Sequence, residues 1–270
     1  MSPLELAFSP CPNDTFVFHA WTHGLIPDAP ETKVTFADVD VTNGAAERGE
    51  FDVVKVSYAA LPWLLADYRL LPCGGALGRG CGPLVLTAED RRDLDGAQVA
   101  VPGDRTTAYL LMRLWAAGQR PAAIDVVPFA QIMPAVRDGR YDAGLVIHEA
   151  RFTYQDFGLR ALADLGEWWE ASTGHPIPLG AILARRGLDA GRLAEVVRAS
   201  VDYAFAHPQA SADFVAAHAD EMDPDVQRQH IGLYVNEFTR DLGEQGYAAI
   251  EDLLDRAHAA GLVPEFGPVR

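Results

Sequence analysis

Leu4-Glu5-Leu6-Ala7-Phe8-Ser9-Pro10-Cys11-Pro12-Asn13-Asp14-Thr15-Phe16 carries the most structural information in this chain of 270 residues. Leu4–Phe8 reads as a short apolar strand. Two prolines within three residues then exclude both helix interior and ladder pairing, so the chain must turn. The apolar segment from Phe16 to Trp21 reads as a helix, with Asn13, Asp14 and Thr15 as capping side chains at its start. A strand, a stiff turn and a helix N-terminus with free N–H groups together suit an anionic group. An ordinary capped βα turn has the same local sequence.

The flanking sequence extends this unit. Lys33–Val39 alternates like a strand, Thr42–Arg48 is a short helix ended by Gly49, and Asp52–Ser57 is a buried strand. Tyr58–Asp67 is helical, with Pro62 near its start, where proline is tolerated. The segment Gly74–Pro83 holds five glycines within nine residues. It lacks the context of a dinucleotide or phosphate loop and reads as a connector or a backbone-lined cleft wall. Pro83–Thr87 is a strand.

A second series starts with the strand Ala97–Gly103 and the helix Thr106–Ala117. Strand Ile124–Val127, helix Ile132–Arg137 and buried strand Tyr141–Ile147 follow, the last ending on His148-Glu149. A loop holds Trp168 and Trp169, and Leu179–Arg185 is another strand. From about Asp189 to Ala260 the spacing is helical, with breaks at His207-Pro208 and Asp223-Pro224.

The two series rhyme. Each has a strand, polar turn and helix, a later strand opened by Phe51-Asp52-Val53 or Tyr141-Asp142-Ala143, and a crossing strand preceded by Pro-Leu (Pro83-Leu84, Pro178-Leu179). This predicts an α/β fold of two similar lobes joined by two crossover strands, with a helical C-terminal region. It is similar to the type 2 periplasmic-binding-protein architecture. Residues 1–94 with 186–270 would form the first lobe and 95–185 the second. One continuous doubly wound sheet is the alternative. In the two-lobed case a ligand lies between lobes at the carboxyl ends of strands.

Composition narrows the function. A formal charge of −16 disfavours nucleic acid and anionic membranes. No apolar run approaches the roughly 20 residues that span a bilayer, and no basic patch precedes an apolar export segment. The three cysteines form neither a disulfide framework nor a C-x-x-C pair. A cytoplasmic chain without metal is expected. Only two of the 22 basic residues are lysines, Lys33 and Lys55. Lys55 lies inside an apolar strand, which points to a role for a compact point charge.

Strand-end position selects the candidate site: Ser9, Asn13 and Thr15 after the first strand, Lys55, Val56 and Ser57 on the third, and Thr106, Thr107 and His148 from the second series. Their hydroxyls and helix starts suit a carboxylate or sugar hydroxyls. His148 is the candidate general base, since imidazole titrates near neutral pH. A structural strand-end histidine is the bland alternative. Glu149 would point to the opposite face if the strand continued. His207, His218, His230 and His258 on the C-terminal helices carry no functional signal, and His19 with His23 lacks a third metal ligand. His175 sits on a loop. Trp168, Trp169 and Tyr154 read as core more readily than as a ligand shelf.

Several of these stretches together resemble the 1,4-dihydroxy-6-naphthoate synthase family of the futalosine route to menaquinone. They are Ser9–Phe16, Lys55-Val56-Ser57-Tyr58, Gly74–Gly80, Thr106-Thr107-Ala108-Tyr109, Ile147–Tyr154 and Pro178–Ile182. The resemblance implies a cofactor-independent lyase that splits cyclic dehypoxanthine futalosine into dihydroxynaphthoate and a three-carbon sugar fragment. It implies His148 as proton acceptor, and Lys55-Val56-Ser57 and Thr106-Thr107 as substrate contacts. Lys55, Arg79 and the helix start at Thr106 are the candidates for holding the substrate carboxylate. No obligate protein partner is evident. Chorismate dehydratase of the same pathway and a non-catalytic solute-binding protein are the rival readings.

Overall fold

The computed structural model describes residues 2–219 and 223–270. Its eleven strands are β1 (Leu4–Phe8), β2 (Thr32–Phe36), β3 (Val53–Ser57), β4 (Tyr68–Leu70), β5 (Ala76–Gly78), β6 (Leu84–Thr87), β7 (Gln98–Val101), β8 (Ala123–Val126), β9 (Ala143–Val146), β10 (Arg160–Asp164) and β11 (Ile177–Arg185). They form two sheets rather than one. The first runs β2-β1-β3-β11-β4 with β5 also on β11, and the second runs β10-β6-β9-β7-β8.

The internal rhyme is structural. In the first sheet β2, β1 and β3 are parallel, and in the second β8, β7 and β9 are. In each, the third strand of the series pairs antiparallel with a crossing strand. β11 lies on β3 with Gly180 opposite Ser57, and β6 lies on β9 with Leu84 opposite Val146. Each sheet therefore reverses its strand order beside its first strand. A crevice opens outside the carboxyl ends at such a reversal.

Sheet membership departs from a lobe division at residues 94 and 185. β6 belongs to the second sheet, and β11 to the first. Each crossing strand is committed by its pairing register to the lobe it enters, so the crossings lie before β6 and before β11. The glycine-rich stretch also differs from a free connector. It contains β5, paired antiparallel to β11, and most of it is buried. Its glycines answer close packing: a Cβ on Gly82 would lie 2.1 Å from the backbone nitrogen of Gly166 at the crossing. Only a residue without a side chain allows that approach.

Other local differences have local causes. The first helix is Pro12–Thr22, so Pro12 takes N1 and Cys11 the N-cap. Proline's missing N–H costs nothing there. Asn13, Asp14 and Thr15 fall in the first turn instead of capping it, and the Thr15 hydroxyl donates to the Cys11 carbonyl. Tyr58–Asp67 holds only a 3-10 turn and the short helix Leu61–Leu64. Trp168 and Trp169 lie on the helix Leu165–Thr173, capped by Asp164. Trp169 is fully buried and donates its indole N–H to the Pro176 carbonyl.

The C-terminal helices close the first lobe. Leu193, Val197 and Val201 put one apolar stripe of the helix Ala190–Ala206 into the core. Ser200 on the same helix donates to the Val17 carbonyl at 2.6 Å and accepts from the Trp21 N–H at 3.2 Å. The helix Pro224–Tyr234 follows, capped by Asp223, and reaches back to the cleft. No helix among the described residues is long and apolar enough to cross a membrane.

Candidate active site

The two strand-order reversals face one another across a cleft of about 670 Å³. Ser9, Asn13 and Asp14 enter from beyond β1, and Lys55 and Ser57 from β3. Thr106, Thr107 and Ala108 enter from beyond β7, and Ile147 and His148 from beyond β9. Gly180 comes from β11, and His230 and Tyr234 from the helix Pro224–Tyr234.

Strand alternation sorts the first lobe's candidates. Lys55 and Ser57 share a face and reach the cleft; Val56 points the other way, into the core. Thr15 is also absent from the lining, its hydroxyl spent on the helix start. Arg79 lies away from the cleft, where it pairs with Glu170 and donates to the Gly174 carbonyl at 3.0 Å. Of the sequence candidates, the structure thus places Val56, Thr15 and Arg79 outside the cleft lining and brings Ser9, Asn13, Lys55, Ser57, Thr106, Thr107 and His148 into it. Trp168, Trp169, Tyr154 and His175 also lie outside the lining.

Asp14 organises the remaining groups. It is 1% exposed and accepts from the Ser9 hydroxyl at 2.7 Å, from Asn13 Nδ2 at 2.7 Å, and from the Lys55 ammonium. A buried ammonium in an apolar strand requires a counter-charge, and Asp14 supplies it. Gly180 leaves room for the lysine stem; a Cβ there would sit 2.9 Å from Lys55 Cε. Ser57 is fixed separately: its N–H donates to Asn43 Oδ1 at 2.8 Å, and its hydroxyl accepts from Asn43 Nδ2 at 3.2 Å.

The second lobe supplies a helix N-terminus. Thr106 caps the helix Thr107–Trp115 by accepting the Tyr109 N–H at 3.1 Å. Thr107 spends its hydroxyl on a bridge across the crossing strand, donating to the Leu179 carbonyl at 2.8 Å and accepting the Ala59 N–H at 3.2 Å. The first turn of this helix faces the cleft without a carboxylate of its own, unlike the first turn at Pro12–Thr22, which contains Asp14.

His148 sits just past β9 with a positive φ of 55°, unusual for a residue with a side chain. The strand therefore does not continue, and Glu149 turns toward the same region instead of the opposite face. Cys11 Sγ lies 3.1 Å from His148 Nδ1. Burial lowers the His148 pKa to about 4; the Asp14 carboxylate opposes this, and the Lys55 ammonium adds to it. The ring is neutral at physiological pH. Burial, with Glu149 and Asp14, pushes the Cys11 thiol well up, so it keeps its proton.

His230, which shows no signal in the sequence, is a cleft residue with 1% exposure. Its Nε2–H donates to Asn13 Oδ1 at 2.9 Å, since the Asn13 amide donates to Asp14. Burial, then His148 and Lys55, hold its pKa well below the ordinary value. Its Nδ1 faces Glu149 Oε2 at 3.8 Å. Tyr234, one helical turn further, keeps its phenol protonated because burial raises its pKa. Only distant packing brings the helix Pro224–Tyr234 here; no local sequence feature marks it.

The chain is similar in sequence and in fold to known proteins. A protein named 1,4-dihydroxy-6-naphtoate synthase in Streptomyces coelicolor is 66% identical, covering 98% of this chain and 96% of its own. One of the same name in Thermus thermophilus is 47% identical, covering 97% and 96%. Among solved structures, protein AF1704 from Archaeoglobus fulgidus superposes with a TM-score of 0.91 at 32% identity, covering 97% of this chain and 98% of that one. The Candida albicans CA3427 gene product, described as exhibiting the generic periplasmic binding protein fold, superposes with a TM-score of 0.70 at 12% identity, covering 100% and 93%. That last likeness concerns the fold alone, and it agrees with two lobes and a shared cleft. The chain matches the menaquinone biosynthesis family over residues 4–259, and it belongs to that family.

Proposed function

We propose that the protein is a 1,4-dihydroxy-6-naphthoate synthase: a carbon–carbon lyase that releases the naphthoate from cyclic dehypoxanthine futalosine, with His148 as general base. The observation that carries the assignment of the base is the neutral imidazole in the wall of a cleft whose opposite wall presents Ser9, Lys55 and Ser57. A neutral ring can accept a proton at once, and a positioned base typically contributes about 10²–10⁴-fold. Removing a substrate hydroxyl proton lets the adjacent carbon–carbon bond break, and the electron pair passes into the ring system that becomes aromatic. That driving force resides in the substrate. The lobes supply orientation and exclude water.

The carboxylate needs a donor set with uncommitted positive potential. Lys55 is neutralised by Asp14, and Arg79 lies away from the cleft. The helix start at Thr106–Ala108 remains, where N–H groups and the helix dipole favour an anion. The substrate acid therefore lies on the second lobe, with Ser57 and the Asp14 network across from it. The substrate is a small carboxylic acid, the reaction needs no organic cofactor, and the protein works in the cytoplasm without an obligate partner.

Purified protein supplied with cyclic dehypoxanthine futalosine should release fluorescent dihydroxynaphthoate, and supplied with chorismate should release nothing. Turnover of chorismate would establish the dehydratase instead. Binding without turnover of either compound would establish a solute-binding protein.

A further inference from the structure

Around His148, behind the cleft wall, lies a donor set that proton transfer does not explain. The ligand atoms of Cys11, His148 and Glu149 all lie within 4.8 Å of one another. They arrive from two lobes: the sulfur from the turn after β1, the other two from the turn after β9. A second feature points at the same place. His230 is 1% exposed, and its Nδ1 has no hydrogen-bond partner, although it lies 3.8 Å from Glu149 Oε2. Because Nε2–H donates to Asn13, the lone pair of this ring is on Nδ1. A metal-binding histidine characteristically has its other nitrogen donating in this way.

We propose that Cys11, His148 and Glu149, completed by His230, form a binding site for a soft divalent cation of the zinc class, and that its occupation stops turnover. Sulfur, imidazole and carboxylate are the donors zinc takes, and four ligands suit its tetrahedral preference. Charge balances locally. Binding displaces the Cys11 thiol proton to solvent, so one thiolate and one carboxylate neutralise the dication, leaving the Lys55–Asp14 pair undisturbed. Hard cations such as magnesium, which prefer six oxygens, do not fit the set. The cation consumes a His148 lone pair and ties the lobes together, so substrate and metal compete. The site is invisible in the sequence because Cys11 and His148 are 137 positions apart.

Cobalt(II) reports directly on such a site, because a thiolate ligand gives a charge-transfer band in the near ultraviolet. Titrating the metal-free full chain with cobalt should give one equivalent of that band, and zinc should abolish it. Zinc should also inhibit turnover, and a chelator should restore it. In Cys11→Ser the band should vanish, and the zinc concentration for half-inhibition should rise at least about tenfold, the usual scale for losing a ligand or its support. His230→Gln should keep the band but bind more weakly. Thermal melts of both variants exclude misfolding as the cause. Absence of the band, or its persistence in Cys11→Ser, would overturn the site. Cobalt binding without zinc inhibition would overturn the competition. The spectroscopic result does not depend on which substrate the cleft turns over.

Discussion

The sulfur of Cys11 lies 3.1 Å from Nδ1 of His148, across the gap between the lobes. The contact orients the ring, and by engaging Nδ1 it leaves Nε2 as the nitrogen that the proposed base would present to substrate. Cys11→Ala should therefore lower kcat with little change in KM. One hydrogen bond is worth about 1 kcal/mol, or roughly fivefold. Cys11→Ser, which keeps a hydrogen-bonding group, should recover most of the loss. Steady-state kinetics of both variants check this; an unchanged kcat in the alanine variant would assign the contact to packing alone.

His148→Ala should reduce turnover by about 10²–10⁴-fold while substrate affinity stays within roughly tenfold, since the proposed base acts on a proton rather than on binding. The acid limb of kcat/KM should fall near pH 4, where the lowered pKa puts it, instead of near the ordinary 6.5. An acid limb at the ordinary value, or wild-type rates in the variant, would assign proton removal to another group.

Stability should show the same two histidines. Both are held neutral, with folded pKa values below the ordinary 6.5. Between 6.5 and about 4 the unfolded chain binds protons that the folded imidazole of His148 does not. Stability from this source is complete above 6.5 and is lost as pH falls toward 4. Urea midpoints should decline across that window. His230→Gln should flatten the decline, because its titration is removed while carboxylate contributions remain. Parallel slopes would show that the histidines do not contribute.

Lys55 and Asp14 form a buried pair, and leaving one charge alone is expensive. Asp14→Asn should destabilise the fold by about 3–5 kcal/mol. Lys55→Met combined with Asp14→Asn should restore a large part of that, since no charge is then stranded. Catalysis should not recover with stability. A double variant no more stable than Asp14→Asn would show that the loss comes from the hydrogen bonds of Ser9 and Asn13 rather than from the ammonium.

The sequence reveals what is local. The Leu4–Phe8 strand coincides with β1, and the parallel strands of the two rhyming series fall in separate sheets, while the Pro-Leu strand that closes each series pairs in the other's sheet. Lys55 between two valines reads as a point charge with a role, but its partner is not legible, because Asp14 reads as a helix-start residue. Long-range placement was hidden. His230 reaches the cleft only through packing of the C-terminal helices, and Glu149 comes near it only through the left-handed turn at His148. Arg79 illustrates the converse: a cation beside a glycine-rich stretch invited a ligand role, but Glu170 takes it.

Gly180 offers a test of how the lysine is placed. It lies opposite Ser57 on β11, beside the stem of Lys55. An alanine Cβ would come within 2.9 Å of Lys55 Cε and 3.6 Å of the Val56 carbonyl. The second contact is ordinary; the first is too close, so the lysine must move. Because the ammonium is held by Asp14, and Asp14 by Ser9 and Asn13, movement at Cε loosens the whole first-lobe wall. Gly180→Ala should cost roughly 1–3 kcal/mol, the usual range for overpacking, and should raise KM more than it lowers kcat, because the His148 wall is untouched. Chemical denaturation and steady-state kinetics measure the two effects. If stability and KM both stay at wild-type values, the lysine tolerates displacement, and the Lys55–Asp14 pair does not shape the substrate wall.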